Sequence, residues 1–96
     1  MERRKSETLD AALSQFLRSS GLETPLLQHR LVELWPTIVG ERIAQHTEAL
    51  HIKEQALWVR VHTPALRSQL LMMRQQLVGQ LNTAIGHTLI YDIRIV

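Results

Sequence analysis

The chain has 96 residues, 45% of them hydrophobic and 21% charged, with a formal net charge of +2 and no cysteine. A composition this apolar excludes a disordered chain, and the length suits a single domain near the lower size at which one core holds a fold together. The missing cysteine excludes disulfide scaffolds, thiolate zinc sites and cysteine nucleophiles.

Charge is unevenly distributed. Residues 1–54 hold seven Lys/Arg and eight Asp/Glu, whereas residues 55–96 hold Arg60, Arg67, Arg74 and Arg94 against Asp92 alone. A basic half favours an anionic partner such as nucleic acid, and it equally fits a solvated face. No apolar run reaches the length of a membrane span, and the start MERRKSETLD lacks the apolar segment of a secretion signal. The expected location is therefore the cytoplasm, away from membranes.

In chain order, Leu9, Ala12, Leu13, Phe16 and Leu17 recur at helical spacing and predict a helix over about 6–19, ending near Gly21. The stretch ETPLLQHRLVELW carries a start signal, with Thr24 as cap and Pro25 in the first turn, where a missing N–H does no harm. Leu27, Leu31, Leu34 and Trp35 share one face of this second helix. Pro36 should break it by removing a donor and disfavouring helical geometry at Trp35, so that a separate short helix follows from about Pro36 to Gln45.

The string LWPTIVGERIAQHT, residues 34–47, thus combines a break with packing groups. Trp35, Ile38, Val39 and Ile43 have helical or near-helical spacing, and Gly40 costs about 1 kcal/mol in a helix relative to Ala. Gly40 is expected to admit a close approach, with Trp35 as its packing partner. The string reads as scaffold, not as an active site.

From His46 the period changes to alternation. Leu50 and Ile52 oppose Ala49, His51 and Lys53; after the polar turn KEQ, Leu57, Val59 and Val61 oppose Trp58, Arg60 and His62. This predicts a hairpin. Thr63 and Pro64 then open a helix of about 20 residues that ends at Gly86, with Leu66, Leu70, Met73, Leu77, Leu81 and Ala84 as its buried stripe and Leu71 and Val78 on its flank. In TLIYDIRIV, Leu89, Tyr91, Ile93 and Ile95 alternate with Thr88, Ile90, Asp92 and Arg94, which predicts a third strand. The expected class is α+β, one domain over 1–96, with a three-stranded sheet packed by helices on one face and open on the other.

The open face is the candidate nucleic-acid site. Trp58, Arg60 and His62 on one strand and His51 and Lys53 on its neighbour combine an indole on which a base can stack with cations for phosphate. The competing expectation is a Trp58 covered by the N-terminal helix or a terminal segment. A second candidate surface lies on the long helix, where Met72 projects away from the buried stripe and Arg67 and Arg74 flank its other side; these are the partner-binding candidates. The basic Arg3, Arg4 and Lys5 are a further place for DNA. Histidines 29, 46, 51, 62 and 87 form no i, i+4 helical pair, and His51 and His62, possible cross-strand neighbours, lack a carboxylate third ligand, so no metal is expected. Ser14, Ser19, Ser20 and Ser68 lack a strand-turn elbow, so the chain is expected to be no enzyme, with no cofactor and no small-molecule substrate.

The order of elements, together with Trp35, Ile-Val-Gly and IAQHT in residues 35–47, LWVRV at 57–61, LRSQL at 66–70, and Leu-Asn with Ile-Gly in 81–86, resembles the DciA family of bacterial proteins that act with the replicative helicase. The resemblance covers about residues 25–95. It implies a KH-like domain, association with the replicative DNA helicase during its loading, and affinity for DNA; single-stranded DNA is the form expected on the open sheet face. Longer family members carry an extra segment, for which 96 residues leave little room. The phosphate-clamping G-x-x-G loop of RNA-binding KH modules is absent, since Gly40, Gly79 and Gly86 have no glycine three positions away. Alternatives are a stand-alone RNA- or DNA-binding module of KH type without that loop, or a structural partner in a larger assembly. Co-purification with the helicase against retention on single-stranded DNA separates these readings.

Overall fold

The computed structural model describes the backbone of residues 2–96 and the side chains from Leu9 onward. The side chains of Arg3, Arg4 and Lys5 therefore lie outside the described residues. The elements are α1 (Glu2–Ser20), α2 (Glu23–Val39), α3 (Glu41–Gln45), β1 (Thr47–Lys53), β2 (Ala56–Val61), α4 (Pro64–Ile85) and β3 (Asp92–Ile95). The sheet runs β1-β2-β3, antiparallel between β1 and β2 and parallel between β2 and β3, so α4 is the crossover that a parallel pair requires.

The hairpin turns through Glu54 and Gln55, both left-handed at φ 55° and 62°, between the paired Lys53 and Ala56. Two consecutive left-handed residues make the tight turn whose twist matches that of the flanking strands. Glu48 is an extra residue in β1, where the register shifts between Thr47 and Ala49. This bulge turns Thr47 away from the side occupied by Ala49 and His51 and toward α2.

Leu57, Val59, Val61 and Ile93 are fully buried beneath α2 and α4, which contribute Leu31 and Trp35, and Leu66, Leu70, Leu77, Val78 and Leu81. Met73 is only half-buried and Ala84 is exposed, whereas Val78, expected on the flank, is buried. The stripe is therefore rotated toward Val78, because α4 packs against both α2 and β3.

Helix α2 corrects three expectations. It starts at Glu23 after Leu22, so Thr24 is not its cap; Pro25 still falls among the first-turn positions whose N–H groups have no intrahelical partner. It also runs through Pro36 without a break. Proline removes one hydrogen bond, but Leu31 and Trp35 are anchored in the core at 0% and 1% exposure, Ile38 and Val39 pack against it, and Pro36 itself is exposed. The break comes instead at Gly40, with φ 90° and ψ 161°, a conformation adopted essentially by glycine alone. A Cβ at Gly40 would meet nothing within 4 Å, so backbone conformation, not close approach by Trp35, explains this glycine.

The 34–47 segment is closed by two hydrogen bonds. The Trp35 indole N–H donates to Thr47 Oγ1 at 3.1 Å, and the Thr47 hydroxyl donates to the Ile43 carbonyl at 2.9 Å. One threonine thus joins α2, α3 and β1.

The third strand is shorter than the alternation predicts. Asn82 donates to the Ile90 carbonyl at 2.8 Å and accepts from the Leu89 and Ile90 N–H groups at 3.0 and 3.2 Å. Its side chain replaces a strand partner, holding the segment before β3 as a loop in which Ile90 is buried and Tyr91 is 62% exposed, the reverse of the expected parity. Helix α1 packs on α2 alone among its principal contacts, and it leaves Leu9, Leu13 and Phe16 exposed.

Candidate nucleic-acid interface

Strand pairing brings His51, Trp58 and Arg94 into one row across the open face, with Arg60 opposite Ala49 one step along. The His51 and Trp58 rings are parallel within 9°, their centroids 6.0 Å apart, and the Arg94 guanidinium carbon lies 5.9 Å from the Trp58 ring centroid. The indole N–H points to the Lys53 carbonyl at 3.3 Å, which fixes the ring against the hairpin end. Trp58 is half-buried by these neighbours on its own face, and α1 lies elsewhere, on α2.

Lys53 and Arg60 are exposed on this face. His62, expected with Trp58 and Arg60, lies just past β2 and meets Glu48 of the bulge at 3.1 Å. It is not a cross-strand neighbour of His51, whose partner is Trp58. Nothing local in the sequence marks Arg94 as a member of the face, because only the parallel β2–β3 register sets it beside Trp58.

Asp92 is the acid of this edge. It lies 3.2 Å from Arg74 Nε and 3.6 Å from Arg94 Nε, and the Arg74 contact is an ion pair without hydrogen-bond geometry at that nitrogen. Arg74 therefore reaches from α4 around β3 to the margin of the open face. Met72, 88% exposed, projects from another side of α4, so Met72 and Arg74 do not form one patch; Arg67 is exposed two turns before Arg74.

Among the described residues, no group of three or more His, Asp or Glu is arranged to hold a metal ion. An open groove between α2 and α4, lined by Thr37, Ile38, Gln76, Gly79, Gln80 and Thr83 among others, carries no ionisable side chain. It offers hydrogen bonds but no acid, base or activated nucleophile. Among the described residues, no helix is long and apolar enough to cross a membrane.

Fold and face together define a small α+β domain whose mixed three-stranded sheet is packed on one side and bare, with its cations, on the other. The chain belongs to the DciA family: the family model described as "Dna[CI] antecedent, DciA" matches residues 8–95. It is similar to a UPF0232 protein of Streptomyces avermitilis, 36% identical over 82% of this chain and 45% of the relative. A UPF0232 protein of Corynebacterium glutamicum is 27% identical over 96% of this chain and 52% of its own length. A third relative, from Mycolicibacterium smegmatis, is a UPF0232 protein in the recF-gyrB intergenic region, 25% identical over 97% of this chain and 48% of its own. The chain thus spans about half the length of the curated relatives it matches. No solved structure matches it.

Proposed function

We propose that the chain is a DNA-replication accessory module that engages the replicative helicase in the cytoplasm and binds single-stranded DNA on its open sheet face, with no catalytic activity of its own. The observation that carries the DNA reading is the row His51–Trp58–Arg94, flanked by Arg60 and Lys53. A base that stacks on this indole takes the place of His51 or Arg94 along its faces, and the displaced cation is left beside the phosphate: stacking contributes about 1–3 kcal/mol per base, and each neutralised phosphate releases counterions. Family membership supports the helicase reading. Helices on one side of a mixed three-stranded sheet are compatible with a KH-like domain; without a G-x-x-G loop, the nucleic acid is assigned to the sheet.

Affinity for an oligothymidylate measured against salt tests the DNA reading. Trp58→Ala should weaken binding by about 5- to 150-fold. Arg60→Gln and Arg94→Gln should each lower the slope of log affinity against log salt by about 0.7, the single-strand value per phosphate. Unchanged affinity and slope in folded variants eliminate this face and turn attention to Arg3, Arg4 and Lys5. The helicase reading is tested by co-purification, with Met72→Glu as probe of the exposed side of α4: retained binding excludes that surface, and failure of the parent chain to capture helicase overturns the reading.

A further inference from the structure

Helix α1 carries an apolar row that its own domain does not cover. Leu9, Leu13 and Phe16 are 69%, 57% and 60% exposed, although they sit at the i, i+4, i+7 spacing of one helix face. The molecule is correspondingly extended, 52 × 26 × 20 Å. It exposes 6898 Å² at a mass of 11.1 kDa, where a compact monomer of that mass exposes about 5,700 Å².

We infer that this face is a homodimer interface, in which the α1 helices of two copies pack antiparallel. The row is complementary to itself in that orientation. Placing Ala12 of one copy against Leu13 of the other brings Leu9 against Phe16 at both ends, the reciprocal pairing that a two-fold axis demands. No charged position falls within that row: Asp10 and Arg18 flank it and stay in water. Antiparallel packing also sets the positive N-terminal end of each helix dipole beside the negative C-terminal end of its partner. The three large side chains and their aliphatic neighbours from two copies remove about 1,000 Å² from water, at the low end for a specific interface, so the dimer is reversible and concentration-dependent. The open sheet face is a different surface, so this inference stands apart from the nucleic-acid reading.

Sedimentation of the 96-residue chain from about 1 to 200 µM, the range for a small interface, should show its mean mass rising from 11.1 kDa toward twice that value. Leu13→Glu, which sets two carboxylates near the axis, should hold the mass at the monomer with the far-UV circular dichroism of a folded chain. Because the protein has no cysteine, single thiols report the orientation. A short bifunctional thiol cross-linker should join an equimolar mixture of Leu9→Cys and Phe16→Cys roughly tenfold more efficiently than either variant alone. A parent that stays monomeric throughout, a Leu13→Glu variant that dimerises as well as the parent, or Leu9→Cys that cross-links with itself as readily as with Phe16→Cys overturns the inference.

Discussion

Replacing Thr47 with valine isolates the hydrogen bond that closes the 34–47 segment. Valine keeps the shape but removes the oxygen that accepts the Trp35 indole N–H at 3.1 Å. Trp35 is 1% exposed, and a stranded buried donor costs about 1–3 kcal/mol. The Ile43 carbonyl also loses a donor, but it still accepts from the His46 N–H at 3.1 Å and adds little. At about 2 kcal/mol, the melting temperature of a domain this size falls by roughly 8–16 °C. Trp35→Phe removes the donor itself, with a cost of about 1–3 kcal/mol for the smaller ring. In Trp35→Phe/Thr47→Val no N–H is stranded, so the double variant should be more stable than the sum of the single effects allows, by about 1 kcal/mol. Urea unfolding followed by circular dichroism at 222 nm measures all four proteins. Additivity within about 0.3 kcal/mol would refute the claim that this hydrogen bond ties the segment together.

Three further substitutions test the backbone reading. Gly40→Ala has open space around its new methyl group yet should lose about 1–3 kcal/mol, because φ 90° with ψ 161° excludes a side chain; a neutral effect in thermal unfolding contradicts that cause. Gln55→Gly should raise the melting temperature by a few degrees, since it relieves about 1 kcal/mol of left-handed strain at φ 62° and keeps the carbonyl that accepts from the Tyr91 N–H at 2.8 Å; a fall would place the strain elsewhere. Asn82→Ala removes all three bonds to Leu89 and Ile90 and should cost about 2–3 kcal/mol, with faster amide exchange in β3 than in β1; uniform exchange would show that the loop does not position the strand.

The hairpin and α4 were legible because their signals are local: strict alternation through Leu57–Val61, and Thr63, Pro64 and Gly86 at the helix ends. Where non-local contacts decide, local signals mislead. Pro36 has the propensity of a breaker, but the burial of Leu31 and Trp35 outweighs one missing hydrogen bond. The alternation from Thr88 ignores Asn82, which lies a loop away in sequence and captures Leu89 and Ile90. The helical period of α1 identifies its apolar row but does not specify what covers it. On the open face, alternation named Trp58, Arg60, His51 and Lys53, and the Glu48 bulge and the parallel pairing that adds Arg94 carry no signature in a single sequence.

If the His51–Trp58–Arg94 row receives single-stranded DNA as proposed, the Trp58 indole must sense it. Trp35→Phe leaves Trp58 as the one indole in the chain, so its emission reports that face alone. Titration of this variant with oligothymidylate at low salt should quench the Trp58 emission saturably, at the same midpoint as the anisotropy of a labelled oligonucleotide. Both midpoints should move together to higher concentration as salt is added. Binding seen by anisotropy with the Trp58 emission unchanged would contradict the claim.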